Sequence, residues 1–401
     1  MKKNNFFDLI VIGGGLVGLA SAYKIQKEFP KKKILIIEKE KELACHQSGR
    51  NSGVLHSGLY YKPGSYRAKN CVQGREELVS YAKKNNIKHD VCGKIVIAVN
   101  QEEVNRLPFL LETGLKNGLD NLEIISQKEI LDIEPFAQGM AAIWVPQTGI
   151  IDYKGVANSL SKNILDINSS SRVLKDCKFL DCQELKIVTS KGDFKCDNII
   201  FCGGLFSDRL AIKDNVKLEL KIVSFRGEYY ELKEESKHKV KNLIYPVPNP
   251  KFPFLGVHFT RMIDGSIECG PNAVFTFKRE GYNKGDFSLR DTFDALSYFP
   301  TWKLFFKHWR FGFNEIKRSY SKRLFLNQLK RIIPSLKMDD IEPGRSGVRA
   351  MSLGKDGEII DDFRVINQGR NIHVLNAPSP AATACLAIGD TISNQLLRLQ
   401  D

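Results

Sequence analysis

Residues 7–18 read FDLIVIGGGLVG, an apolar, β-branched run closing in Gly13, Gly15 and Gly18. A helical pattern follows through Leu16, Leu19, Ala20, Tyr23 and Lys24, and a second apolar strand runs from Lys33 to an acid, Glu38. Together these parts predict one β-α-β unit that binds a dinucleotide. Gly13 allows the tight turn, Gly15 lets the backbone approach a pyrophosphate, and Gly18 lets the helix pack closely on the strand. The helix N-terminus offers N–H groups and a positive dipole end to the phosphates. Glu38, 25 residues after Gly13, is placed to accept hydrogen bonds from a ribose. Lys2, Lys3, the apolar stretch and Ala20-Ser21-Ala22 also sketch a secretory signal. Asp8 and three clustered glycines break that stretch, and cleavage would remove half of the unit, so the dinucleotide reading is preferred.

With 401 residues, 42% of them hydrophobic, the chain can bury one large or two medium cores. No unbroken apolar run of about 20 residues occurs, so no membrane-spanning helix is expected. The nine cysteines (Cys45, Cys71, Cys92, Cys177, Cys182, Cys196, Cys202, Cys269 and Cys385) include no C-x-x-C pair, and several sit in apolar runs. That pattern fits reduced thiols in a cytoplasmic protein better than a disulfide framework or a metal site. The formal charge of +14 comes from lysines scattered along the chain, and no nucleic-acid partner is expected from it. Residues 302–331 differ, with nine Lys or Arg against one acid, Glu315. Trp302, Phe305, Phe306, Trp309, Phe311, Phe313, Tyr320 and Phe325 are interleaved with them. Such a helical segment suits a membrane interface, and equally an amphipathic helix packing its rings into a domain; both readings stay open.

Pieces of nucleotide-domain character recur far apart. After residues 7–40 come a helix over 151–165 entered near Asp152, short strands over 177–181 and 186–189, and a strand over 197–202 that ends at Gly203-Gly204 and opens a helix over 205–211. Residues 347–353, 372–376 and a helix from about Ala381 to Leu399 follow. Between them lie a helix, the strand 94–99 and alternating strands over 222–232, 254–261 and 266–269. The expected fold is α/β: a discontinuous Rossmann-like domain (1–75, 151–217 and 346–401) with an α+β mixed-sheet substrate domain inserted as 76–150 and 218–345.

Four longer stretches carry a resemblance: HQSGRNSGVLHSGLYYKPGS (46–65), FRGEYYEL (225–232), PFLGVHFTRMIDGSIECGPNA (253–273) and VLNAPSPAATACLAIGDTI (374–392). With the glycine turn, they make the chain similar to the D-amino-acid-oxidase-like flavoproteins, and within these to the L-2-hydroxyglutarate oxidase/dehydrogenase branch. The resemblance implies FAD as cofactor and oxidation of L-2-hydroxyglutarate to 2-oxoglutarate, with hydride transfer to flavin N5. The small and polar residues Ser48, Gly49, Asn51, Ser52 and Gly53 can lie flat against a ring system while donating to pyrophosphate and flavin, as the family's loop does. Gly203 and Gly204 would let the backbone pass close to the nucleotide. Ser379, Ala381 and Ala382 lead into the last helix, whose N-terminal dipole can face the flavin. In some relatives a histidine of the first loop attaches FAD covalently, and His46 stands there.

The family's carboxylate clamp is an arginine after a glycine turn, and Gly347-Val348-Arg349 matches it. A planar guanidinium binds a carboxylate through two parallel hydrogen bonds. A 2-hydroxy diacid needs a second cation, for which Arg261 and Arg226 are the two choices. A neutral imidazole suits removal of the hydroxyl proton; His258 is favoured as base, with His56 nearer the flavin. Tyr61 and Tyr245, with Tyr60, are expected to shape the pocket. Oxygen and a membrane quinone are both open as electron acceptors, and the 302–331 region favours quinone with peripheral attachment to the cytoplasmic membrane. Two rivals stand: a same-fold enzyme for glycerol-3-phosphate or an amino acid, and a flavin-binding protein without turnover that docks on a membrane.

Overall fold

The computed structural model describes residues 5–184, 186–249 and 256–399. The apolar run at the N-terminus forms the strand Phe6–Ile12, buried on both faces as a central parallel strand must be. It pairs in parallel with Ile34–Ile37 on one side and Gly192–Phe201 on the other. Asn371–Asn376 extends this order alongside Phe201, and Arg172–Leu174 closes the opposite edge. Among the described residues this sheet has eight strands. Helix Leu16–Glu28 packs against Tyr153–Ile167 and Cys385–Arg398 on one face, around Leu19, Ile25, Ile164 and Ile388. Each such aliphatic side chain contributes about 1.5–3 kcal/mol by leaving water.

The second sheet is mixed, with nine strands among the described residues. Its order runs from Leu220–Leu232 through Ile267–Gly270, His258–Arg261, Leu243–Pro246 and Lys94–Ala98 to Ala141–Val145. Strand Ile341–Gly354 runs antiparallel to Leu220–Leu232 along its whole length. Residues 347–353, read in sequence beside the nucleotide elements, therefore lie in this second sheet. Hydrogen bonding along two strands this long outweighs their nearness in sequence to Asn371–Asn376. Of the strand expected over 254–261, residues 254 and 255 lie outside the described residues, 256 and 257 are irregular, and His258–Arg261 forms the strand. Asp152 caps Tyr153–Ile167 by accepting from the Gly155 amide at 2.9 Å, as the sequence suggested. The last helix begins later than expected, at Cys385, because residues 379–384 form turns.

The basic aromatic region breaks into three helices, Phe299–Lys307, Trp309–Tyr320 and Lys322–Leu329. Phe325 is buried against Tyr230, with the ring centroids 4.7 Å apart, and Phe305 packs on Phe275. Phe306, Trp309, Phe313 and Tyr320 stay exposed at 72%, 61%, 54% and 74%. The packing reading thus holds for Phe305 and Phe325, while the other four rings lie at the surface.

Candidate active site

The parallel strands end together: Ile12 is level with Ile37 and Phe201, and Phe201 with His373. The crevice beyond these carboxyl ends is where a sheet of this kind holds its ligand. Gly13 has φ 115°, and a Cβ there would sit 2.3 Å from the Cys202 carbonyl oxygen. A Cβ on Gly18 would sit 2.2 Å from the Gly13 oxygen. Side chains are excluded at both positions. Gly15 caps helix Leu16–Glu28 with no side-chain hydrogen bond, so the first-turn dipole faces the crevice. Buried Glu38 accepts from the Gly14 amide at 2.7 Å and the Glu40 amide at 2.9 Å, fixing the glycine turn.

The 46–57 loop crosses this mouth. Ser48 Oγ accepts from the Leu16 amide at 2.9 Å. Asn51 donates to the Gln47 and Ser48 carbonyls and accepts from the Gly53 amide, so it holds the loop in shape. Gly49 lies against the Ala44 carbonyl, and Gly204 (φ 52°) against Gln47. On the far side, the Ser379 carbonyl accepts from Arg67 Nε at 3.0 Å and Nη2 at 2.6 Å, while Ala381 and Ala382 turn towards Thr383. Thr383 Oγ1 accepts from the His56 amide at 3.1 Å and contacts the Tyr153 hydroxyl at 2.9 Å. Turns without Cβ atoms, a helix N-terminus whose N-cap glycine has no side chain to block it, and two small-residue segments fit an extended dinucleotide such as FAD. His46 meets Tyr282 through Nδ1 at 2.6 Å, and Glu40 and Glu280 through Nε2 at 3.0 and 3.1 Å.

A second group of side chains lies between the 46–57 loop and the mixed sheet. His258 Nδ1 is 2.9 Å from the Gly256 carbonyl, which can only accept, so Nδ1 carries the proton and Nε2 keeps its lone pair. Tyr245 stacks on His258 with ring centroids 4.0 Å apart, and its hydroxyl faces Thr260 and Ser52. Burial brings the His258 pKa down to about 4, with Arg349 and Lys94 adding to the shift against the Gly256 hydrogen bond. Burial, Lys94, His258 and Arg67 bring His56 to about 3. Both rings are neutral near pH 7. Arg349 Nη1 donates to the Asn272 carbonyl at 3.2 Å, and the guanidinium lies against Gly227, where a Cβ would come within 3.1 Å of it. Arg67 lies over the Tyr61 ring, 4.5 Å from its centroid.

The two arginines expected to provide the second cation are not brought to this group. Arg261 lies three residues beyond His258 on one strand, so it points to the opposite face, where it pairs with Asp90. Arg226 is buried, but its donors go to Glu228 at 3.0 and 2.8 Å and to the Asn283 carbonyl at 2.9 Å. Sequence reading missed Lys94 and Arg67. Lys94 carried one signal, a charge leading an otherwise apolar strand, KIVIA.

The DAO family profile, described as FAD-dependent oxidoreductase, matches residues 8–395. The chain is 46% identical to an L-2-hydroxyglutarate dehydrogenase of Indibacter alkaliphilus, over 98% of this chain and 99% of that one. It is 41% identical to the mitochondrial L-2-hydroxyglutarate dehydrogenase of Homo sapiens, over 97% of this chain and 88% of that one. Among solved structures it resembles dithionite-reduced L-α-glycerophosphate oxidase from Mycoplasma pneumoniae with FAD bound. That match has a TM-score of 0.78 and 20% identity, covering 98% of this chain and 94% of the other. Glycine oxidase from Geobacillus kaustophilus matches with a TM-score of 0.73 and 14% identity, covering 98% and 95% of the two chains.

Proposed function

The chain belongs to the DAO family of FAD-dependent oxidoreductases, and we propose that it uses FAD to oxidise L-2-hydroxyglutarate to 2-oxoglutarate. The observation that carries this reading on the structural side is His258, a neutral imidazole whose Nε2 lone pair is left open by the Gly256 contact, set near Arg349. When bound, FAD supplies a two-electron acceptor for the carbon-bound hydrogen. Arg349 holds the carboxylate beside the carbinol carbon through its planar fork. His258 Nε2 takes the hydroxyl proton, and Tyr245 fixes the plane of the ring by stacking. His56, held by its backbone to Thr383, lines the cofactor side.

Adding L-2-hydroxyglutarate to the yellow protein without oxygen should bleach the flavin band rapidly, whereas the D isomer should not. Bleaching by glycerol-3-phosphate or an amino acid instead would transfer the site to another substrate. No bleaching by any of them would favour a binding role without turnover.

For the electron acceptor we favour a membrane quinone. Phe306, Trp309, Phe313 and Tyr320 project beside Lys303, Lys307, Arg310 and Lys317, with Lys317 Nζ 4.5 Å from the Phe313 centroid. Exposed rings among cations suit an anionic lipid surface. Among the described residues no helix is long and apolar enough to cross a membrane, so attachment would be peripheral. Exchanging Phe306, Trp309 and Phe313 together for Ser should weaken binding to anionic liposomes at least about tenfold while activity with a soluble dye persists. Unchanged liposome binding would refute the membrane role.

A further inference from the structure

We propose that Lys94 is the second cation of the substrate site and holds the distal carboxylate of the diacid, with Arg349 holding the carboxylate beside the carbinol; this rests on the substrate reading above. Lys94 opens the strand Lys94–Ala98 and is only 1% exposed. Among the described residues no carboxylate or carbonyl accepts from its ammonium. Nζ instead lies 4.6 Å from the Tyr60 centroid and 4.9 Å from that of Tyr245. A buried ammonium needs an anion or a strong acceptor, and two ring faces replace its lost water only in part. The Tyr60 hydroxyl beside it is buried and likewise without a partner among the described residues.

The sheet places this cation suitably. Tyr245 joins it to the base, since one ring stacks on His258 and faces Nζ. His258 pairs with Gly270, two residues before Asn272, whose carbonyl accepts from Arg349. In strand order Arg349 lies on one side of His258 and Lys94 on the other, five strands apart. Along the sheet that is roughly 24 Å, yet both cations come close enough to the His258 ring between them to act on it electrostatically. A diacid held this way would present its carbinol to His258. A monoacid would leave Lys94 without its anion, which gives the site selectivity between the two classes.

Burial brings the Lys94 pKa down to about 7. The titratable groups facing it do not change charge there: His56 and His258 lie at about 3 and 4, Cys71 at about 12, and burial raises Tyr60 and Tyr245. A loss of diacid affinity on raising pH above 7 would therefore report Lys94.

The test uses the holoenzyme and Lys94→Met, which keeps length and burial and should fold at least as well as the parent. Flavin reduction is followed with L-2-hydroxyglutarate and with L-2-hydroxyvalerate, which has five carbons and one carboxylate. We expect kcat/KM for the diacid to fall at least about 100-fold, mostly in KM, with the monoacid unchanged or improved. In the parent, KM for the diacid should rise about tenfold per pH unit above 7 and stay flat for the monoacid; in Lys94→Met that slope should vanish. Lys94→Arg should recover part of the diacid preference. Equal loss on both substrates, or no loss on either, would overturn the assignment alone. Failure of L-2-hydroxyglutarate to bleach the parent would overturn the assignment and the substrate reading together.

Discussion

Exchanging His258 for Asn should slow anaerobic flavin reduction by L-2-hydroxyglutarate by about 10³-fold, with FAD content and substrate affinity nearly retained. The substitution is chosen for its geometry. An asparagine amide can still donate to the Gly256 carbonyl where Nδ1–H does now, but nothing replaces the Nε2 lone pair. A loss confined to the rate would mark His258 as the base. A larger loss in His56→Asn, with His258→Asn nearly active, would move that role to the other ring. The pH profile provides an independent check. A base with its pKa at about 4 is competent well below the usual histidine range, so the acid limb of flavin reduction should fall near 4, not near 6.5. Stability has its own sign. Between pH 6.5 and these lowered values the unfolded chain takes up protons that both buried rings refuse, so stability is complete above about 6.5 and declines as pH falls.

Exchanging Arg349 for Met should raise KM for L-2-hydroxyglutarate by about 10²- to 10³-fold, and weaken inhibition by glutarate to match. The guanidinium is partly fixed before substrate arrives, by the Asn272 carbonyl and the floor that Gly227 leaves open. A lysine at 349 should recover little, since a single ammonium cannot make the two parallel hydrogen bonds of the fork. Unlike Lys94→Met, this change should reduce activity on diacid and monoacid alike, because both substrates carry the carboxylate beside the carbinol. A KM that does not move in Arg349→Met would remove the clamp from that position.

What the sequence made legible was local. Gly13, Gly15, Gly18 and Glu38 lie within one β-α-β unit, where spacing alone fixes the relative positions of turn, helix and acid. The second group resisted reading because Tyr60, Lys94, Tyr245, His258 and Arg349 come from separate strands and loops, and only sheet order brings them near one another. Arg261 shows the finer limit. Its sequence nearness to His258 suggested a shared site, yet strand alternation sends side chains three apart to opposite faces. Arg226 shows another: Glu228 stands two residues on in FRGEYY, on the same face of the strand, and takes the donors that the sequence left open for a substrate. The segment 302–331 was read correctly as basic, aromatic and helical, but which rings face outward depends on where Tyr230 and Phe275 stand in the second sheet.

The order of strands in the first sheet also bears on how the molecule is made. Phe6–Ile12 and Leu16–Glu28 leave the ribosome early, whereas Asn371–Asn376 and Cys385–Arg398, which complete the same layers, emerge last. At about 10 residues per second, roughly half a minute separates the two. Throughout that interval Leu19 and Ile25 wait for Ile388, and the nascent glycine turn waits for the 377–384 segment that closes its crevice. Stalled or prematurely terminated chains would carry the most recognisable motif of the sequence, yet would be substrates for chaperones and proteases, with no finished place for a flavin.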